Sequence, residues 1–153
     1  MIILNPTPMA STDSDRRVRD SFARQRFMQT LGASVESVGD GTVVLRLPVR
    51  DALTQQHGFM HAGAIATLAD SACGYAALTK MPPDAAVLSI EFKVNMLAPA
   101  VGEALIARAG VIRAGRTVMV CRSDVYAVKG GEEKLVAAMQ GTMMVVRDEK
   151  LKD

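Results

Sequence analysis

A chain of 153 residues, 49% apolar and 22% charged, is long enough to bury one core without disulfides or metals, and its net charge of +2 is too small to point to nucleic acid or a membrane surface. The opening Met1-Ile2-Ile3-Leu4 ends at Asn5-Pro6, too short for a signal peptide or a membrane span, and no later apolar run reaches the length of one. A cytoplasmic protein with neither nucleic acid nor membrane as partner is expected.

Residues 1–12, with Pro6 and Pro8 and no periodicity, read as a flexible tail. A helix is expected over about 13–31, with Ser11, Thr12 and Asp13 as cap candidates. Val18, Phe22, Phe27 and Leu31 run along one side of it, while Arg16, Arg17, Arg19, Arg24 and Arg26 cover much of the rest as a solvated face. Gly32 ends it. Strands follow over 34–38 and 42–49, joined at Gly39-Asp40-Gly41, a hairpin signal. Residues 50–62 read as a loop.

The segment 62–79 is the most unusual. Ile65, Leu68, Ala69, Ala72 and Ala76 make a helical stripe, and the opposite side, with Thr67, Asp70, Ser71 and Gly74, is small rather than highly charged. Such a helix is buried nearly all round, so something must wrap it. Met81-Pro82-Pro83-Asp84 breaks it, and strands follow over 87–97, 103–113, 117–128 and 133–146. In the first of these, Ile90, Phe92, Val94 and Met96 fall on one face and Ser89, Glu91, Lys93 and Asn95 on the other. Turns fall at Ala114-Gly115 and Gly130-Gly131, and residues 148–153 read as a frayed end. The sum is an α+β fold: an antiparallel sheet of about six strands wrapped around a central buried helix, with an extra N-terminal helix.

Ten methionines against four phenylalanines and no tryptophan point to a core or pocket packed with adaptable side chains. Cys73 and Cys121 sit inside apolar stretches without ligand-like spacing, which fits buried free thiols. The chain has no G-x-S-x-G elbow, Walker loop, Rossmann glycine fingerprint or H-E-x-x-H. His57 and His61 are too few and too close together for a zinc site with these cysteines, so neither metal nor cofactor is expected.

What remains is Asp70. Ionised carboxylates are rarely buried unless paired or functional, and aspartate is a poor interior helix residue. A carboxylate tied to a neighbouring donor for structural reasons and a catalytic one both fit. At the start of the same helix, His61-Ala62-Gly63 puts small residues in the first turn, where backbone N–H groups are unpaired and the dipole is positive. That end can hold a carbonyl oxygen as it becomes an oxyanion, or it can simply allow close packing. Asp70 lies roughly 12 Å along the axis from Ala62, whereas each contact to one reacting carbon needs about 3 Å. If both groups work on one bond, the carboxylate comes from a second subunit.

The stretch Gln55-Gln56-His57-Gly58-Phe59-Met60-His61-Ala62-Gly63, followed by Leu68-Ala69-Asp70, resembles the signature of hotdog-fold acyl-CoA thioesterases of the PaaI (phenylacetate-pathway) type. That pattern reads approximately N-x-x-G-x-x-H-G-G, then six residues, then D. Ser89-Ile90-Glu91-Phe92 and Leu97-Ala98-Pro99-Ala100 resemble the family's next strand and its ending, and the similarity spans about residues 34–146.

The resemblance implies a hotdog domain over residues 13–147 that hydrolyses a small, medium-chain or aromatic acyl-CoA, as a homodimer or a homotetramer of paired dimers. It implies Asp70 as nucleophile or as base on water. In the His61-Ala62-Gly63 motif it implies the backbone N–H groups of Ala62 and Gly63 as an oxyanion hole across the dimer interface. Gln55 falls where an asparagine orients the carbonyl or water, and Ser89 at a hydroxyl position that assists the water. Gln55 is one methylene longer than asparagine, and Ala62 replaces the first glycine of the pair, which requires a negative φ there.

For the coenzyme A phosphates, Arg113 and Arg116, flanking a tight turn, and Lys80 are the candidates. The alternative is a non-catalytic acyl-CoA-binding hotdog module, a sensor or regulator. Regulators resembling this core add a DNA-binding domain, for which residues 1–31 are too short. A hotdog dehydratase would resemble a D-x-N-x-x-H pattern, which is absent.

Overall fold

The computed structural model describes residues 12–151 and 153, so the expected tail lies outside the described residues except for Thr12. Thr12 caps helix α1 (Asp13–Arg24): its Oγ1 accepts from the Asp15 N–H at 3.1 Å, with Asp13 and Asp15 against the positive end of the helix. The single helix expected over 13–31 is broken. Gln25 is extended (φ −76°, ψ 97°), and a second helix, α2 (Arg26–Leu31), starts after it and stops at Gly32, which has a left-handed φ of 78°.

The break re-aims the apolar side: Met28 and Leu31 are buried, and Phe27, expected in the stripe, is 59% exposed. One arginine also leaves the solvated face. Arg17 turns inward and donates to the carbonyls of Met81 and Ala85, holding the connection after the central helix.

The six strands are β1 (Ser34–Gly39), β2 (Thr42–Pro48), β3 (Ala86–Met96), β4 (Ala104–Ala114), β5 (Val118–Lys129) and β6 (Glu132–Val146), in sheet order β1-β2-β4-β5-β6-β3. Every pairing is antiparallel. Consecutive strands form hairpins, but β3 crosses to the far edge and pairs only with β6 among the described residues.

Helix α3 (Ala62–Leu78) lies against one face of this sheet. Leu68, Ala69, Ala72, Cys73, Ala76 and Ala77 are completely buried there. Alanines at four of these positions let the helix approach strands whose inward residues are large, such as Leu45, Leu47, Leu105 and Met143. Burying Leu68 alone contributes about 2–3 kcal/mol. The wrapping is one-sided: Ala66, Thr67, Asp70 and Ser71 remain only half-buried on the side away from the sheet.

The loop before α3 is tied down at both ends. The His61 N–H bonds to the Leu53 carbonyl, the Met60 N–H bonds to Ala100, and Thr54 bridges Met60. Its tight turn passes through Gly58 at φ 80°, a conformation a side chain would strain.

In β3 the expected alternation fails at one point. A bulge between Ser89 and Glu91 adds a residue, so Ser89 pairs with Met143, on the side of α3, while Glu91, Lys93 and Asn95 face the other way. Ser89 therefore shares a face with Phe92, Val94 and Met96, not with Glu91. The end of the chain differs from the expected fraying: Asp148 bridges Leu151, and the Asp153 carboxylate accepts from the Val87 N–H at 2.7 Å and from Ser21 Oγ at 2.8 Å. Among the described residues no helix is long and apolar enough to cross a membrane.

Candidate active site

Asp70 occupies the third turn of α3, on the stripe the sheet leaves uncovered. The β3 bulge carries Ser89 to it, and Ser89 Oγ donates to Asp70 Oδ1 at 2.8 Å. Burial pushes the Asp70 carboxyl above the usual aspartate range, and the Ser89 hydrogen bond pulls it part of the way back. Oδ2 makes no hydrogen bond among the described residues, so the group keeps one oxygen for an incoming proton. Asp70, Ser71, Gly74, Tyr75, Ser89 and Gln25 line a hollow of about 110 Å³.

The helix start forms a second feature. The N-cap is His61, whose Nδ1 accepts from the Gly63 N–H at 2.8 Å. One of the two expected oxyanion donors is therefore engaged by the imidazole. The Ala62 N–H makes no hydrogen bond among the described residues and is the open donor. No non-glycine residue described has a positive φ, so alanine at position 62 carries none of the strain a left-handed backbone would impose.

Gln55 lies beside this end, and its side-chain oxygen accepts from the His57 N–H within the tight turn. That leaves the Gln55 NH2 group as its outward end. Gln55, Phe59, His61, Ala62, Met96 and Pro99 are among the residues around a larger hollow of about 560 Å³. The two hollows share no lining residue. Within one chain the carboxylate and the open N–H belong to different sites.

The residues considered for coenzyme A divide. Lys80 Nζ is bound to Asp40 at 2.8 and 2.9 Å, which neutralises its charge at the β1–β2 turn. Arg113 and Arg116 are exposed at the β4–β5 turn and form no ion pair among the described residues. Cys73 and Cys121 are buried free thiols; burial pushes both up, Cys121 to about 11, so neither is ionised near neutrality.

Two site residues had no signal in the motif. Gln25, at the break between α1 and α2, and Tyr75, beyond Asp70 on α3, meet at the end of the Asp70 hollow: Gln25 Nε2 donates to Tyr75 Oη at 2.9 Å. Gln25 is remote in sequence from every motif residue. A helix break, which alone brings it there, leaves no periodicity to read.

Residues 57–134 match the family model of the thioesterase superfamily. The crystal structure of a thioesterase family protein from Silicibacter pomeroyi is similar with a TM-score of 0.87 and 50% identity, over 88% of this chain and 99% of that one. The 1,4-dihydroxy-2-naphthoyl-CoA hydrolase of Listeria monocytogenes is 28% identical, over 80% of this chain and 97% of the hydrolase. The E. coli PaaI protein, from the phenylacetic acid degradation operon, shares the fold with a TM-score of 0.79 at 22% identity, over 89% of this chain and 95% of its own. With its sheet wrapped on one central helix, the chain belongs to the thioesterase superfamily as a hotdog-fold, PaaI-type thioester hydrolase.

Proposed function

We propose that the protein hydrolyses acyl-CoA thioesters at a site completed by two copies of the chain. The observation that carries this reading is the Ser89–Asp70 pair on an uncovered face of α3, with a carboxyl whose proton affinity burial has raised. The similarity to a CoA-thioester hydrolase supports the substrate class. The open edge of β3, where Ile90 and Phe92 are 49% and 43% exposed, supports a partner copy pairing there and covering the bare stripe of α3. Leu88, Met144 and Val118, in one row on the opposite face, offer the contact for a further pairing into a tetramer.

Across such a dimer, Asp70 and Ser89 of one copy face the helix start of the other. Asp70 Oδ2 takes a proton from water, and the hydroxide adds to the thioester carbon. The Ala62 N–H holds the resulting oxyanion, and the Gln55 NH2 group aligns the carbonyl. Collapse breaks the carbon–sulfur bond, and the leaving thiolate takes the proton back from Asp70, giving free acid and coenzyme A. The Gly63 N–H joins the oxyanion hole only if His61 turns aside. Arg113 and Arg116 serve the phosphates, and Lys80, already paired, adds little.

The test is thiol release from acetyl-, hexanoyl-, palmitoyl- and benzoyl-CoA, by wild type and by Asp70→Asn. Turnover that collapses in the variant supports the reading. A wild type that binds coenzyme A yet cleaves none of the panel moves a non-catalytic acyl-CoA sensor to the front.

A further inference from the structure

Glycine at position 74 is out of keeping with the rest of α3. It stands in the interior of a 17-residue helix, where only proline is a worse choice, and its φ is not positive. It is buried, yet a Cβ added there would meet nothing within 4 Å. Neither the backbone nor close packing demands glycine, and alanine, common elsewhere on this helix, would fit and favour the helix. What the missing side chain leaves is room, in the hollow of about 110 Å³ that contains Asp70.

That room is polar. Asp70, Ser71 and Ser89 stand at one end of the hollow and Gln25, Tyr75 and Asp153 at the other, and Val87 is the one aliphatic side chain among the described lining residues. A water needs about 10–15 Å³ of such space and two to four polar partners, so the hollow takes several waters. A hydrocarbon chain would strip Asp70, Ser71 and Asp153 of solvent and put nothing in its place. The end away from Asp70 opens outward, since Gln25 is exposed and Asp153 half-buried. Its frame is fixed: Gln25 Nε2 donates to Tyr75 Oη at 2.9 Å, Tyr75 meets Ser21 Oγ at 3.3 Å, and Ser21 donates to Asp153 at 2.8 Å.

Resting on the reading that Asp70 draws a proton from water, we propose that this hollow is the supply route of the hydrolytic water, with its mouth at Gln25 and its passage kept open by Gly74. Once a partner copy covers the bare stripe of α3 and an acyl-CoA fills the space between the copies, water reaches Asp70 Oδ2 from behind, through the hollow. Each turnover consumes one water there, and the next follows from the mouth without the substrate side having to open.

The experiment compares wild type with Gly74→Ala, Gly74→Leu and Gln25→Trp on acetyl-, hexanoyl- and benzoyl-CoA, reading the single-turnover cleavage rate, KM and elution on size exclusion. Gly74→Leu fills the hollow and Gln25→Trp covers its mouth. Both should slow cleavage by about tenfold or more, by the same factor for all three esters, with KM and elution unchanged. Gly74→Ala should slow it a few-fold in the same uniform way while melting a few degrees higher, which separates the loss from a failure to fold. If Gly74→Leu does not fold, Gly74→Ala and Gln25→Trp decide. A hexanoyl-to-acetyl ratio that drops in the Gly74 variants, with acetyl-CoA cleaved as before, would show that the hollow holds the acyl group and would overturn the inference. Cleavage unchanged in Gly74→Ala and Gln25→Trp overturns it too, as does a Gly74 variant whose oligomeric state changes, which would put Gly74 in the interface. All of these leave the thioesterase reading standing. A wild type that cleaves none of the esters overturns both.

Discussion

Replacing Asp70 by asparagine separates a catalytic carboxylate from a structural one, because the two roles predict opposite effects on stability. Asparagine keeps the shape and can still accept the Ser89 hydroxyl bond seen at 2.8 Å, but it has no charge to desolvate and no basic oxygen. As general base the carboxylate contributes about 10²–10⁴ in rate, so kcat should fall by that factor. Stability should hold or rise. The raised proton affinity of Asp70 means that the folded chain binds this proton more tightly than the unfolded one.

Its effect on stability therefore changes with pH in a definite sense. Below the ordinary value of 3.8 the protonated group favours folding, and that contribution is lost as pH rises through the raised value of the folded state. At pH 7 the wild type carries this cost and the variant does not. Thermal unfolding at pH 7, beside thiol release, reads both quantities. A structural carboxylate whose bond to Ser89 matters would instead cost about 1–3 kcal/mol on removal, lowering Tm by roughly 3–10 °C in a domain of this size. A fall of that size with turnover intact would refute the reasoning.

Ser89→Ala removes the bond that lowers the Asp70 pKa, so the acidic limb of the kcat/KM profile should move to higher pH, with kcat down about tenfold. A pH–rate titration checks the direction, and a limb that stays in place means Ser89 does not act through Asp70. Asp70→Asn and Gln55→Ala chains, each weak alone, should regain activity when unfolded and refolded together. Half the dimers are then mixed and each has one intact site, so about a quarter of wild-type turnover returns; no recovery would place both residues in one chain's site. His61→Ala removes the imidazole that holds the Gly63 N–H at 2.8 Å and should cost about 1 kcal/mol of stability, read by urea denaturation.

The six strands and the central helix were legible because they rest on period and punctuation; the crossing of β3 to the far edge of the sheet was not. Val43, Leu45 and Leu47 alternate into a buried face of β2. Gly39-Asp40-Gly41 marks the first hairpin, and Gly130-Gly131, both at positive φ, marks the last. Asp70 stood out because an aspartate among helical alanines is costly whatever its neighbours do. The engagement of Gly63 by His61 was hidden, since a backbone N–H carries no side-chain signature and its partner is set by one rotamer of the cap residue.

Two of the misread details share a cause and a location. Strict alternation along β3 sent Ser89 to the face of Glu91, and a single inserted residue returns it to Asp70. Continuous helical periodicity carried 13–31 through Gln25, and one extended residue turns that side chain to Tyr75. Regular patterns are legible because they repeat, and a bulge or a break is a departure at one residue that a pattern averages away. Both departures end at the Asp70 hollow. The repeating part of the sequence builds the scaffold, and its two local exceptions supply the hydroxyl on one side of the carboxylate and the amide at the end of its pocket.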